Sequence, residues 1–236
     1  MTKNTDELRR AQHSNQDKNR LNFSDLGLAP ALQSAVADMG LTNPTPVQAE
    51  AIPNVLQGRD VLASAQTGSG KTAAYVLPVL QLLMATAASR DEAPKKRITQ
   101  VLVLVPTREL ATQVSDVLRD LARPLAQSIK VGTVFGGVSI NPQMMSLRSG
   151  ADVVVATPGR LLDIVDHNAL NLGHVQHLVL DEADRLLDLG FAEELHRILA
   201  LLPAKRQNLL FSATFEPAVQ TLAEALLSNP ARITIA

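Results

Sequence analysis

Ala65-Gln66-Thr67-Gly68-Ser69-Gly70-Lys71-Thr72 follows the apolar run Val61-Leu62-Ala63, and the fold turns on these two stretches. A strand, a glycine-rich loop and a helix opening on a lysine and a hydroxyl form the phosphate-loop pattern, here with alanine in first position. Glycines let the backbone curl so that several N–H groups aim at one anion, and the helix N-terminus adds partial positive charge. Lys71 is then expected to reach the β- and γ-phosphates, and Thr72 to place its hydroxyl on Mg²⁺. Farther along, Asp181-Glu182-Ala183-Asp184 follows a second apolar run, Leu178-Val179-Leu180. Asp181 at a strand end suits the metal, and Glu182 suits the attacking water, because phosphoryl transfer needs positioning and charge neutralisation. Either stretch alone has a plain structural explanation, as a glycine turn or as an acidic turn capping a helix over 183–188. Together they point to a nucleoside-triphosphate site.

Outward from these motifs, short β-branched runs at 60–65, 101–105, 131–135, 152–156, 177–181, 208–212 and 232–235 alternate with helical stretches. The helices are expected over 30–39, 46–56, 71–86, 108–122, 140–148, 159–167, 191–202 and 216–227. Near-continuous apolar strands imply burial on both faces, hence an α/β fold with a mostly parallel sheet sandwiched by helices. Ligands of such folds sit beyond the carboxyl ends of the strands. The polar motifs 66–72, 106–109, 157–160, 181–184 and 212–214 all fall at those ends, so one composite site is expected. Residues 1–20 are almost wholly polar and read as a disordered tail, and 88–97 as an exposed loop.

The composition narrows the function. With 236 residues and 46% hydrophobic content, the chain suffices for one large domain with a sizeable core. A net charge of −1 excludes binding of nucleic acid by bulk charge, but not a local site. The absence of cysteine excludes disulfides and thiolate metal sites. Aromatics at 3% with no Trp argue against a base-stacking platform. His174 and His177 sit three apart, but no third ligand is spaced to complete a metal site. No apolar stretch reaches transmembrane length and the N-terminus is not a signal peptide, so no membrane partner and a cytoplasmic location are expected.

On these motifs the chain resembles a DEAD-box ATP-dependent RNA helicase of bacterial type, in its N-terminal RecA-like P-loop NTPase domain. The resemblance covers roughly residues 22–236. Gly40-Leu41-Thr42-Asn43-Pro44-Thr45-Pro46-Val47-Gln48 resembles the family's adenine-reading Q motif, with Gln48 its glutamine and Phe23 at the spacing of the upstream aromatic. The resemblance implies stacking of Phe23 on adenine and an amide of Gln48 on its edge. Pro106-Thr107-Arg108-Glu109-Leu110-Ala111, Gly136-Gly137 and Thr157-Pro158-Gly159-Arg160 resemble elements that line the RNA path and contact its sugar–phosphate backbone. Such contacts carry little sequence information. The same residues serve equally as helix starts, and Arg108 and Arg160 could pair with Glu109 or Asp163. Ser212-Ala213-Thr214 resembles a motif whose hydroxyls bond Asp184 and couple the ATP site to the RNA path. Phe191 is read as core packing.

The family uses two RecA-like domains, and the second supplies arginines that complete the ATP site. This stretch carries no such segment, so 21–236 is expected to be the helicase ATP-binding domain of a larger ATP hydrolase, weakly active or inactive by itself. Two other classes are open: a non-catalytic module that binds nucleotide or RNA, and a different P-loop machine such as a DNA translocase. Intact Lys71, Asp181 and Glu182 argue against the first. Phe23 with the Q-type run, and Thr157–Arg160, argue against the second.

Overall fold

The computed structural model describes residues 21–88, 97–126 and 128–235. The expected tail at 1–20 and nearly all of the loop at 88–97 lie outside the described residues. Seven strands form one sheet: β1 (Val61–Ser64), β2 (Val101–Leu104), β3 (Val131–Val134), β4 (Val153–Ala156), β5 (His177–Leu180), β6 (Gln207–Ser212) and β7 (Ala231–Thr234). Their order is β3-β4-β2-β5-β6-β1-β7. Every neighbouring pair is parallel, so the expected mostly parallel sheet is parallel throughout.

Nine helices cover the sheet among the described residues. Four lie on one face: α1 (Pro30–Asp38), α2 (Pro46–Leu56), α3 (Lys71–Ala88) and α4 (Arg108–Ala122). Five lie on the other: α5 (Ile140–Leu147), α6 (Pro158–Asp166), α7 (Ala183–Asp188), α8 (Ala192–Leu201) and α9 (Pro217–Leu226). The strand side chains divide by alternation. Val61, Ala63, Val101, Val103, Val179, Leu209 and Phe211 join the core under α1–α4. Leu62, Leu102, Leu104, Val154, Leu178, Leu180 and Leu210 join the core under α5–α9, against which Phe191 packs.

Local chemistry starts the helices where the sequence places them. Proline occupies the first position of α1, α2, α6 and α9, where its missing N–H costs nothing. Thr107 caps α4, its Oγ1 accepting from Leu110 N at 3.2 Å. On α4 the buried residues Ala111, Val114, Ser115, Leu118, Leu121 and Ala122 keep the helical period. Expected and observed bounds agree to within a residue or two, except for a 3₁₀ turn at Phe23–Leu26, too short to carry a period. Among the described residues no helix is long and apolar enough to cross a membrane.

The edge at the strand N-termini is clamped by buried polar groups. Asp60 accepts from Asn208 N and Ser228 N, both at 2.8 Å. Gln207 donates to the carbonyls of Val55 and Arg59, and its Oε1 lies 2.9 Å from Nδ1 of His177. Burial holds His177 below the ordinary imidazole range. This edge is structural, and the carboxyl edge is left for chemistry.

Candidate functional site

The five polar motifs and the Gly136-Gly137 turn emerge at the carboxyl edge, in an order set by the strands. Residues 136–137, 157–160 and 106–109 follow β3, β4 and β2 on one half of the sheet. Residues 181–184, 212–214 and 65–72 follow β5, β6 and β1 on the other. Ladder bonds run one residue past the strands and hold the loop starts in register: Ala65 N donates to Ser212 O at 3.1 Å and Asp181 N to Leu104 O at 3.0 Å.

The glycine-rich loop passes directly into α3. Gly68 and Gly70 hold φ of +84° and +93°, values that suit a residue without a Cβ. At Gly70 a Cβ would also lie 2.4 Å from Nε2 of Gln48. That amide donates to Gly70 O at 3.1 Å while its Oε1 accepts from Thr45 N at 3.0 Å. Gln48 is thereby buried between the start of α2 and the loop. Thr45 Oγ1 faces the Gln48 backbone N–H in the capping box of α2. Ser69 Oγ, on the loop side of this junction, is buried without a hydrogen-bond partner. Lys71 is buried and its Nζ donates to Ala65 O at 2.6 Å.

Asp181 faces this loop from the end of β5, 2% exposed. Its Oδ1 accepts from Glu182 N at 2.9 Å and its Oδ2 from the hydroxyl of Tyr75 at 2.8 Å. Burial pushes its carboxyl up to about 6, against the opposing pull of the Tyr75 hydrogen bond and the Lys71 charge. Burial also drives the Tyr75 phenol well above its ordinary range, with the Asp181 charge second. Glu182 adopts φ +50° and ψ +54°. For a residue with a Cβ that left-handed conformation costs on the order of 1–2 kcal/mol. It turns the chain from strand to helix within one residue and keeps Asp181 and Glu182 on the same cleft. The cleft holds about 370 Å³ and is lined by Thr67, Gly68, Gly70, Lys71, Thr72, Asp181, Glu182 and the α4 residues Leu110, Gln113 and Val117.

Among the described residues no group of three or more His, Asp or Glu side chains could hold a metal alone. The hydroxyl of Thr72 and the carboxylate of Asp181 are hard oxygen donors. Two such groups fit Mg²⁺ that shares its shell with phosphates and water.

Asp184 ties the acidic turn to the end of β6. Its Oδ2 accepts from Ala213 N and Thr214 N, both at 3.1 Å, and from Thr214 Oγ1 at 3.2 Å. Ser212 Oγ accepts from the Asp184 backbone N–H at 3.3 Å and does not reach its carboxylate.

On the other half, Thr107 and Thr157 stand at the starts of α4 and α6, and Gly137 turns with φ +82°. Pro106 and Thr157 are buried, Gly136 and Gly159 half-buried. Both local ion pairs that the sequence permits are present: Arg108 to Glu109 at 2.8 Å and Arg160 to Asp163 at 3.4 Å. The exposed Arg108 pair holds the Glu109 carboxyl below its ordinary value. Arg160 is mostly covered, and its Nη2 donates to Val138 O at 2.9 Å, which fastens the Gly136-Gly137 loop to α6.

Phe23 is 5% exposed and packs with the core under α1–α4. Gln81, on α3, accepts from Ala29 N at 2.6 Å and donates to Gly27 O at 2.8 Å, fixing the Phe23 segment to the loop helix. Gln81, Gln113 and Tyr75 escaped the sequence reading. The only signal for Tyr75 is its helical spacing from Thr72 and Lys71. A wider open hollow of about 620 Å³ near Met144, Met145 and Arg148 gathers no reactive groups.

Comparison with known proteins adds a family. The DEAD/DEAH box helicase model matches residues 45–222. A probable ATP-dependent RNA helicase, ddx27, of Dictyostelium discoideum is 46% identical over 214 residues, covering 90% of this chain and 26% of that protein. The ATP-dependent RNA helicase DeaD of Escherichia coli K12 is 43% identical over 213 residues, covering 90% of this chain and 32% of its own length. The crystal structure of a DEAD box protein from the hyperthermophile Methanococcus jannaschii superposes with a TM-score of 0.81 at 34% identity, over 92% of this chain and 56% of that one. The chain thus spans roughly a third or less of these two curated relatives.

Proposed function

Because the chain belongs to the DEAD/DEAH box helicase family, we propose that it is the ATP-binding half of an RNA-dependent ATPase that, with a second RecA-like domain, locally unwinds RNA duplexes. The observation that carries this reading is the convergence of Lys71, Thr72, Asp181 and Glu182 on one cleft at the carboxyl edge. The loop 66–70 offers backbone N–H groups to the phosphates, while the Ala65 N–H stays on Ser212 O and its carbonyl receives Lys71. Lys71 exchanges the Ala65 carbonyl for phosphate oxygens. Thr72 and Asp181 would hold Mg²⁺, and Glu182 would orient the attacking water. Bound there, Mg²⁺ would neutralise the charge that develops on the phosphates. Gln48 is already tied to the loop through Gly70, so an adenine edge that engages its amide also bears on the phosphate loop. Phe23 is the candidate to stack on the base, which requires its turn to open from the core.

RNA is assigned to the other half of the edge: Pro106, Thr107 and Arg108, Gly136 and Gly137, Thr157, Gly159 and Arg160. Helix N-termini and close-approaching glycines suit backbone phosphate and give little sequence preference. Arg160 acts at least in part through the loop it fastens. Asp184, Ser212 and Thr214, on the nucleotide half of the edge, are the proposed coupling element. The greater length of the relatives supports a second domain in the same protein, and the proposed site of action is cytoplasmic.

Nucleotide selectivity tests the reading. Fluorescent ADP should bind in Mg²⁺ and be displaced by ATP, with GTP weaker by at least tenfold. Equal displacement by GTP would remove Gln48 and Phe23 from base recognition and favour a different P-loop machine.

A further inference from the structure

The geometry points to Tyr75 as the positioning residue that holds the Asp181 carboxylate, and we propose that it sets how tightly the site takes Mg²⁺; the inference rests on the Mg²⁺-nucleotide reading above. The Tyr75 hydroxyl donates to Asp181 Oδ2 at 2.8 Å, and both side chains are buried. Oδ1 is already engaged by Glu182 N. Both carboxylate oxygens are therefore oriented, one from its own turn and one from α3. Tyr75 cannot swing away: its ring is 1% exposed and packs on Phe211 with centroids 5.2 Å apart and planes at 54°. Thr72, the other proposed metal-facing group, lies three residues earlier on the same helix, so both stand on neighbouring positions of one face. A single helix thus carries one group of the metal pair and the hydroxyl that aims the other. A phenylalanine would fill the same space against Phe211, so packing alone does not require the hydroxyl.

Groups that hydrogen-bond a metal's carboxylate without touching the metal commonly change its affinity by 10–100-fold. For Tyr75→Phe we expect the Mg²⁺ concentration that half-saturates fluorescent-ADP binding to rise about tenfold. ADP affinity without Mg²⁺ should stay within about twofold, because the Tyr75 hydroxyl touches only the metal-facing side chains Asp181 and Thr72. Tyr75→Phe in an Asp181→Asn background should add less than it does alone. An unchanged Mg²⁺ midpoint, with or without a lower melting temperature, would reduce Tyr75 to packing and overturn the proposal. Additive effects in the double variant would also overturn it. If the native chain binds ADP equally with and without Mg²⁺, the underlying Mg²⁺ reading fails and takes this inference with it.

A second readout needs no Tyr75 variant. Tyr75 is the single tyrosine of a chain without tryptophan. A carboxylate that accepts from a phenol quenches its emission. Asp181→Asn should therefore brighten the intrinsic tyrosine fluorescence of the native chain, and unchanged emission would contradict the contact.

Discussion

Replacing Lys71 with alanine should weaken Mg²⁺-dependent ATP binding by on the order of 100-fold, equivalent to about 3 kcal/mol. The ammonium is buried and satisfied by a single carbonyl, that of Ala65. Against a triphosphate it would make charge-assisted bonds worth about 1.5–3 kcal/mol each. Lys71 is also the positive charge that opposes the upward push of burial on Asp181. Its loss should therefore harm the metal side of the cleft as well as the phosphate side. Titration of fluorescent ATP into the native chain and the variant, at fixed Mg²⁺, measures the effect. Equal affinity would remove Lys71 from the site.

Asp181→Asn should have opposite effects on stability and function. Burial raises the Asp181 carboxyl from 3.8 to about 6, so the folded nucleotide-free chain holds a proton there more readily than the unfolded chain does. The stabilising contribution is therefore fully present below the unfolded value and is lost as pH rises through 6. At pH 7.5 the ionised, desolvated carboxylate costs about 3 kcal/mol. Asparagine removes that cost, and Tyr75 can reverse its hydroxyl to accept from the new amide. The melting midpoint should rise by roughly 5–10 °C at pH 7.5. The gain should shrink to roughly half at pH 5 as native Asp181 takes up its proton. Mg²⁺ should no longer strengthen nucleotide binding. A variant less stable at pH 7.5, or a gain independent of pH, would show that the carboxylate is not the strained group.

Much of this was legible in the sequence because it is local or set by topology. In a parallel βα array every loop after a strand opens at the same edge, so strands read from their apolar runs brought 65–72, 106–109, 157–160, 181–184 and 212–214 together. The Arg108–Glu109 and Arg160–Asp163 pairs are neighbours on their helices and needed no tertiary knowledge. What escaped depends on packing. The Tyr75–Asp181 bond joins residues 106 apart and is decided by how α3 lies on the sheet. The Gln48–Gly70 bond depends likewise on the seating of α2 against the loop. The left-handed turn at Glu182 has no compositional sign, since a glutamate gives none, and the surrounding structure imposes it. Phe23 shows the reverse: a family spacing marks it for a base, while its apolar ring finds the core.

The most direct test is steady-state ATP turnover by the 236-residue chain, with and without single-stranded or structured RNA, measured beside nucleotide binding. Half of a helicase should bind adenine nucleotide yet turn it over negligibly, with no stimulation by RNA, because an arginine from a second domain contributes on the order of 10³–10⁵ in rate. Strong RNA-stimulated turnover by this chain alone would mean that it completes its own site, and would contradict the assignment of catalysis to two domains.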